Sequence, residues 1–465
     1  MPASAAAVTA AQQTARAGVR LIAVKTEEEA AGLRTRLQAG AAFEDLAKRY
    51  STAPSASDGG WLGLFAPANL RTEFRQALEG LIPGQVSPVV KLSEEYVLLE
   101  LASEAETHSA LGCELAEQGK LDDAIAEFRQ ALRINPQYAQ AHYYLGAALF
   151  ELDNGVEEAV AEFREAIRLN PQNAEAHNTL GLALLEDGNT DDAMREYREA
   201  LRINPQYAEA HYNLGNALDD QGKPAAAVDE YREALRINPG LAEAHYNLGV
   251  ALGHNGTLDE AEVEYREALR INAGLAQAHH ALGRALDDQG KHDEAIAEYR
   301  EALRINPKYG EAHYNLGGAL KNQGKLEEAI AEYREALRVN PHHAQAYSNL
   351  GVALRDQGKL EEAVKEYRTA LRINPNDAIL HNNLGVAVSD QGNLDEAIGE
   401  YREALRINPR FALAHYNLGE SLRQQDDRAG AIRELRDFLS LATSAPESKA
   451  RVERARSILV ELEKP

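Results

Sequence analysis

From about residue 105 to residue 445 the chain carries two superposed periods of apolar and polar positions. Locally, apolar residues recur at three- and four-residue spacing. In the stretch from Ala208 to Leu241 they are Ala210, Leu214, Ala217 and Leu218, then Ala227, Val228, Tyr231, Ala234 and Leu235. Each set falls on one stripe of a helix, so the stretch predicts two amphipathic helices. Gly222 separates the two stripes and Pro239 follows the second, both residue types that end helices. At longer range the unit itself recurs: Gly112, Gly146, Gly181, Gly215, Gly249, Gly283, Gly317, Gly351, Gly385 and Gly419 stand 34 residues apart, except for one 35-residue step between Gly146 and Gly181. One helical hairpin cannot bury its own apolar stripe, so a fixed period of this length predicts stacked hairpins that complete each other's cores. Ten copies result, starting at Ala105, Ala139, Ala174, Ala208, Ala242, Ala276, Gly310, Ala344, Ala378 and Ala412.

Before the array the pattern is mixed. Val19 to Val24 (VRLIAV) predicts a strand, and Thr26 with Glu29 three residues on forms a capping-box pattern that opens a helix through Gln38. A second helix is expected from Phe43 to Tyr50, then a Gly-rich turn, the segment WLGLF, a helix near Leu70 to Leu78, the turn Pro83-Gly84, and two β-prone runs, Val86 to Val90 and Tyr96 to Leu101. The order β-α-α-β-α-β-β predicts a small α+β domain with a short sheet. Residues 1–18 read as a lead, helical or disordered, and nothing resembling a linker separates Ala102 from Ala105. The small domain, residues 19–104, is therefore expected to pack on the first of the hairpins that fill residues 105–445. In the final segment, residues 446–465, Val452, Ala455, Ile458, Leu459 and Leu462 share one helix face, which predicts a C-terminal cap. Three irregularities stand out: an extra residue in ELDNGVEE, Ala273 in place of a proline, and a tenth copy with Asp426 at the turn glycine and Leu435 at the tyrosine.

Composition narrows the functional classes. The formal charge is −24, of which residues 1–104 contribute only −2. So acidic an array argues against nucleic acid and against an anionic membrane surface. No apolar run reaches the ~18 residues needed to span a bilayer, so no membrane insertion is expected. The first stretch has no charged segment ahead of an apolar core, which gives a cytoplasmic expectation, with export if the true start lies upstream. Cys113 is the single cysteine, which rules out an internal disulfide and a cysteine-based zinc site. Nine of the 14 histidines occupy the fourth position of the copies: His108, His142, His177, His211, His245, His279, His313, His381 and His415. None has a recurring second ligand one helical turn away, so they are expected to pack between helices. No metal and no cofactor is expected.

The repeated positions, Leu-Gly at seven and eight, Gly at fifteen, Ala at twenty, Tyr at twenty-four, Ala at twenty-seven and Pro at thirty-two, resemble the tetratricopeptide repeat (TPR). The resemblance implies a mainly α chain, a right-handed α-solenoid of ten hairpins preceded by the small α+β domain. That domain has its own resemblance. The run VKTEEEA…LQAGAAFEDLAKRYSTAPSASDGGWLGLF…EFRQALEGLIPGQVSPVV…YVLLEL is similar to a parvulin-type (PpiC, rotamase-like) peptidyl-prolyl isomerase domain from about Val19 to Ala102. In that family an apolar pocket seats the substrate proline, and the matching positions are Leu62, Leu70, where methionine is usual, and Phe74. The family's polar positions are changed: Leu21 and Val97 stand where histidines are usual, Ala53 where an Asp or Cys is usual, and Trp61 where an acid is usual. No catalytic residue is assigned. Prolyl isomerisation crosses a barrier of roughly 18–20 kcal/mol by twisting one amide, without a covalent step. An apolar pocket therefore leaves two outcomes: a weak or inactive domain that binds proline segments, or an active isomerase.

In TPR proteins the first helix of each hairpin lines a concave face. Position six there is Asn213, Asn247, Asn315, Asn349, Asn383 and Asn417, an arrangement similar to the asparagine ladder of O-linked N-acetylglucosamine transferases. Each carboxamide offers two donors and an acceptor to a peptide backbone. Position five adds Tyr143, Tyr212, Tyr246, Tyr314 and Tyr416; position two adds Glu106, Glu175, Glu209, Glu243 and Glu311; and Asp219, Asp220, Asp287 and Asp288 follow at the helix ends. That acidic rim implies an extended protein or peptide ligand that is neutral or basic. Position five holds no Lys and position six no Arg, so the clamp that chaperone-binding TPRs use for a carboxylate terminus is not expected. The leading expectation is a protein-interaction scaffold with a degenerate parvulin-like domain as auxiliary proline-segment binder. The alternative is an active prolyl isomerase of foldase or chaperone type whose TPR array holds the client.

Overall fold

The computed structural model describes residues 16–152, 155–442 and 446–464. It contains two compact units, Met1–Asn238 and Pro239–Pro465.

The first unit begins with a four-stranded antiparallel sheet in the order β2-β1-β4-β3, with β1 at Ala17–Val24, β2 at Trp61–Phe65, β3 at Val90–Lys91 and β4 at Tyr96–Leu101. β1 pairs along both edges and is almost wholly buried, so its residues serve two cores. On one face Ile22, Val24 and Leu98 meet Ala30 and Leu33 of α1 (Glu27–Gln38) and Phe43, Leu46 and Ala47 of α2 (Phe43–Tyr50). On the other, Val19, Leu21, Ala23, Val97 and Leu99 are covered by Phe65 and by Phe74, Ala77 and Leu78 of α3 (Thr72–Leu78). The capping box of α1 forms as read, with Thr26 Oγ1 accepting from the Glu29 N–H and the Glu29 carboxylate from the Thr26 N–H. Ala17 and Gly18, expected in the lead, already belong to β1, and the rest of that lead through residue 15 lies outside the described residues. The run Val86 to Val90 yields only an isolated bridge, Val86 to Glu100, and the two-residue β3. Pro88 has no N–H for a ladder, and Ser87 Oγ accepts the Leu99 N–H at 2.9 Å where a strand would offer a carbonyl.

The small domain joins the first hairpin without a spacer. The Ala102 N–H donates to Gly18 O at 2.9 Å, and Ser103 caps helix Glu104–Glu117 through a second capping box with Glu106. Arg20 of β1, only 7% exposed, donates to Glu44 at 2.7 Å, Glu100 at 3.2 Å and Glu106 at 2.9 Å. One guanidinium thus ties α2, β4 and the first hairpin together. Three carboxylates compete for it: burial pushes Glu100 up to about 7 against the pull of Arg20. Glu106 is equally buried, yet Arg20 and Ser103 hold it below the usual carboxylate range.

Hairpins one to four occupy residues 104–237, and hairpins five to ten occupy 242–441 in the second unit. The fourth, Ala208–Asp220 with Pro224–Ile237, buries the apolar set read from the pattern. Its centre is a close approach: a Cβ on Gly215 would lie 2.7 Å from the Tyr231 ring. The other hairpins repeat this contact, with Phe128 and Phe163 as the ring in the first two and Leu435 in the tenth. Within each unit the first helices of successive hairpins touch, so they form one layer. Gly222 turns the chain at φ 71°, and Asp426 adopts φ 65° in the tenth hairpin, where its copies have glycine. Of the run ELDNGVEE that carries the extra residue of the second hairpin, residues 153–154 lie outside the described residues. Helix Pro446–Leu462 covers the last hairpin, placing Ala455, Ile458 and Leu459 against Leu435 and Phe438.

The fourth-position histidines do more than pack. In all nine, Nδ1 lies 2.5–2.7 Å from a glutamate on the second helix of the same hairpin, as in His211 to Glu230. In seven, Nε2 also faces the carbonyl six residues back, at 3.2–3.4 Å, in the loop that ends the preceding hairpin. An imidazole between two acceptors satisfies both only when it carries both protons. Burial opposes charge on His177, but Glu196, the Pro171 carbonyl and Glu199 together raise its pKa. The Glu298 hydrogen bond, against burial, raises His279, and Glu332 with the Pro307 carbonyl overcomes burial at His313.

Two predictions follow from this packing. Gly215→Ala forces a methyl into the Tyr231 ring and should lower stability by about 1–3 kcal/mol in denaturant unfolding, the range for overpacked cores; an unchanged midpoint would contradict the contact. A histidine whose pKa is raised by folding adds stability below its ordinary pKa and loses it as pH rises through the raised value. The melting temperature should therefore fall on going from mildly acidic to mildly alkaline buffer, and fall less in the combined variant His177→Gln, His279→Gln, His313→Gln. Glu100 contributes with the same sign in both proteins and cancels from the comparison; equal slopes would refute the histidine assignment.

Candidate functional site

In the small domain a loop is pinned to β1. The Ala23 and Ala53 N–H groups both donate to Ser51 Oγ, at 3.1 and 3.2 Å, and the Thr52 N–H donates to Ala23 O at 2.8 Å. This lays Ala53 and Pro54 beside β1 and β4, next to Trp61 and Leu62 of β2. The result is a cavity of about 480 Å³ lined by Leu21, Ala53, Trp61, Leu62, Leu92 and Val97, with Thr52, Ser55 and Glu95 supplying polar atoms. Leu21 pairs with Leu99 and Val97 with Ala23, so Leu21 and Val97 are diagonal neighbours on one face of the sheet. Four of the positions singled out in the sequence, Leu21, Ala53, Leu62 and Val97, thus share one wall, and Phe74 packs on the same cluster. Leu70 does not belong to that cluster; it is half-buried at the end of a short turn, where its carbonyl accepts from Arg75 Nη2 at 2.9 Å.

Glu95 is the one ionisable side chain among the described residues that line this cavity. No second ionisable side chain among the described lining residues pairs with it across the cavity. The cavity can exclude water from a bound amide. Ser55 lines the cavity, and its Oγ is buried without a protein partner among the described residues. Ser55, Leu92 and Glu95 carried no sequence signal, because the pinned loop and the turn in which the Leu92 N–H donates to Glu95 O bring them in.

The ladder asparagines are all half-buried, and four of them make the same bond. In the first unit Asn213 Nδ2 donates to Asn178 Oδ1 at 3.0 Å. In the second, Asn315 Nδ2 donates to His280 Nε2 at 2.8 Å, Asn349 Nδ2 to Tyr314 Oη at 3.1 Å, and Asn417 Nδ2 to Asn382 Oδ1 at 2.8 Å. Each acceptor is position five of the preceding hairpin. Asn247 and Asn383 occupy the equivalent place. Burial pushes His280 down to about 4, with Arg284 adding to the effect. The ring is therefore neutral, and its Nδ1–H donates to Tyr309 Oη at 3.0 Å. The position-five tyrosines also pack inside their own hairpins. The rings of Tyr212, Tyr246 and Tyr314 tilt onto Tyr231, Tyr265 and Tyr333 at 6.1 Å, and Tyr416 onto Phe438 at 5.2 Å, so much of each ring is used inside its own hairpin. Glu209 and Glu243 are exposed. In the second unit Arg284, Lys321, Arg355 and Arg423 join the acidic residues on the first helices.

Two further groups are inert or structural. Burial pushes the Cys113 thiol up to about 11, so it is not a nucleophile at neutral pH. His415, Glu434 and Asp437 bring ligand-type atoms within 4.8 Å, but the first two form the histidine–glutamate pair seen in the other hairpins.

Residues 21–103 match the family model of the PPIC-type PPIASE domain. Tetratricopeptide repeat models match 153–208, 178–242, 212–276, 319–378 and 366–399, and TPR repeat models match 112–153, 283–324 and 389–426. The chain is 35% identical over 115 residues to the chaperone SurA of Cupriavidus metallidurans, covering 25% of this chain and 22% of that protein. It is 41% identical over 86 residues to the foldase protein PrsA of a Geobacillus species, covering 18% of this chain and 31% of that one. The match therefore spans less than a third of either relative. The solved structure of YrrB, described as a TPR protein with an unusual peptide-binding site, superposes at TM-score 0.38 with 24% identity, over 40% of this chain and 96% of that one. The hairpins and the domain that precedes them thus place the chain among tetratricopeptide repeat proteins, with an N-terminal PPIC-type peptidyl-prolyl isomerase domain.

Proposed function

We propose that this chain is a foldase of chaperone type: its hairpins hold extended client segments, and its PPIC-type domain seats their prolines and eases prolyl isomerisation. The observation that carries the reading is the open, apolar-walled cavity formed by Leu21, Ala53, Leu62 and Val97 on a domain locked to the first hairpin by Arg20. The likeness to a chaperone and to a foldase supports the same class. A planar amide is strongly polar through its C–N resonance, and twisting it removes that resonance. Transfer from water to an apolar wall therefore disfavours the planar state more than the twisted one. A gain of about 3 kcal/mol, roughly a hundredfold in rate, is the scale expected of such a site.

The test is prolyl isomerisation of short proline peptides by the full chain, followed by NMR exchange. The rate should exceed the uncatalysed one, stay flat from mildly acidic to mildly alkaline pH, and fall about tenfold, or 1.4 kcal/mol, in Leu62→Asp. Absence of acceleration would overturn catalysis, and proline peptides that still bind would make the domain a holder of proline segments.

The hairpin face has its own test. Fluorescence anisotropy with unfolded peptides of unrelated sequence should show affinity falling about tenfold in the combined variant Asn315→Ala, Asn349→Ala, Asn417→Ala, whatever the peptide. Unchanged affinity would remove the asparagines from the binding face.

A further inference from the structure

We infer that the asparagine rungs read the direction of the bound chain, so that an extended segment lies antiparallel to the hairpins, its C-terminal end toward the lower-numbered ones. The inference rests on the binding face proposed above and specifies how that face is used.

Four rungs are oriented alike: Asn213, Asn315, Asn349 and Asn417 each direct Nδ2 at position five of the preceding hairpin. A carboxamide has two N–H bonds. One lies on the same edge as its carbonyl, and the other points opposite to that carbonyl. Pairing with a peptide backbone uses the shared edge, so the opposed N–H is the one left for the neighbouring hairpin. Oδ1 then sits on the side away from that hairpin, and the remaining N–H on the side nearer to it. An extended residue projects its own N–H and C=O to one side, the N–H coming first along the chain. Its N–H must lie over Oδ1 and its C=O over Nδ2. Its N-to-C direction therefore runs from higher- to lower-numbered hairpins at every such rung.

The acceptors make Asn178, His280, Tyr314 and Asn382 positioning residues. Asn178 and Asn382 are 5% and 2% exposed, so they act through the ladder asparagine and not by touching the ligand. His280 is fixed in the required form, because its Nδ1–H is committed to Tyr309 and its Nε2 lone pair faces Asn315. The occupant is a peptide backbone and not a charged motif, since Arg284, Lys321, Arg355 and Arg423 are interspersed with Asp287, Asp288, Asp356 and Asp390 along the second unit's first helices.

The experiment uses the full chain and an uncharged, proline-free peptide that carries a benzophenone at one end or the other. Crosslinked fragments are identified by mass spectrometry, and anisotropy reports affinity. The C-terminal label should mark hairpin seven over hairpin ten by about tenfold, and the N-terminal label should show the reverse, the preference set by 1.4 kcal/mol. In the combined variant His280→Phe, Tyr314→Phe, Asn382→Leu, with its helical circular dichroism retained, that preference should drop toward parity while binding persists. Equal or reversed labelling at full affinity overturns the direction and leaves the binding face standing. A preference unchanged in the variant overturns the positioning role. Absence of any binding overturns the binding face, and the direction with it.

Discussion

The contact between the glycine at position eight and the side chain packed on it from the second helix, an aromatic ring in all but the tenth hairpin, sets the geometry of each hairpin. With hydrogen in place of a side chain, the first helix lies directly on the ring of the second, at a distance where a methyl carbon would sit 2.7 Å from Tyr231. Helix pairs usually lie about 8–10 Å apart, according to the side chains between them, and glycine takes the short end of that range. The alanines at positions three, ten, twenty and twenty-seven keep the same seam thin, as Ala210, Ala217, Ala227 and Ala234 do in the fourth hairpin, all fully buried. Position five packs on the same ring, as Tyr212 does on Tyr231. Position five, which accepts the bond from the next hairpin's asparagine, is thus carried on the core contact itself, and a change at the glycine would be felt at the rung.

Besides the asparagine rungs, neighbouring hairpins are joined by exposed ion pairs and by histidine bridges. Exposed pairs such as Arg300 with Glu328 and Arg334 with Glu362 join successive second helices, where solvent leaves little net energy. The histidine bridges differ because they are half-buried and have two acceptors, a carboxylate on their own hairpin and a carbonyl of the one before. Charges nearby are already balanced. Glu199, which faces His177, is paired with Arg202, and on the preceding second helix Arg168 is paired with Glu165. Glu301 with Arg304 and Glu335 with Arg338 repeat the arrangement beside His279 and His313, and Glu267 with Arg270 precedes His279. Arg20 plays the corresponding part where the small domain meets the first hairpin, with three carboxylates around one cation.

What could be read from the sequence was whatever depends on neighbours along the chain. The stripes of each hairpin, the capping box at Thr26 and the buried face of the last helix are set by spacings of three and four, and each appears where the pattern puts it. The resemblance to a known domain brought Leu21, Ala53, Leu62 and Val97 to one wall, which no spacing in the chain reveals. Two kinds of fact stayed hidden. The Ser87-Pro88 break replaces a ladder bond by a side-chain bond, and β propensity alone does not register it. The rung bond links position six of one hairpin to position five of the one before, and its acceptor is an amide, an imidazole or a phenol. No single residue type marks that partner, so the tyrosines looked free for a ligand and Asn178, His280 and Asn382 looked unremarkable.

The cleft and the hairpins respond differently to protons. Where the family usually has histidines the cleft has Leu21 and Val97, both inside one apolar cluster with Ala53 and Phe74 against it. Removing a single polar group from a buried network strands its partners, whereas replacing the group and its partners by apolar residues leaves nothing unsatisfied. The cluster is consistent with the second course. Nine histidines instead pair with a glutamate along the hairpins, and seven of these also face a carbonyl. The groups whose titration folding perturbs near neutrality are thus the bridging histidines of the hairpins and Glu100 of the small domain, and none of them lines the cavity. In a chain built this way, protonation acts on the seams between hairpins and on the junction around Arg20, while the wall formed by Leu21, Ala53, Leu62 and Val97 carries no titrating group of its own.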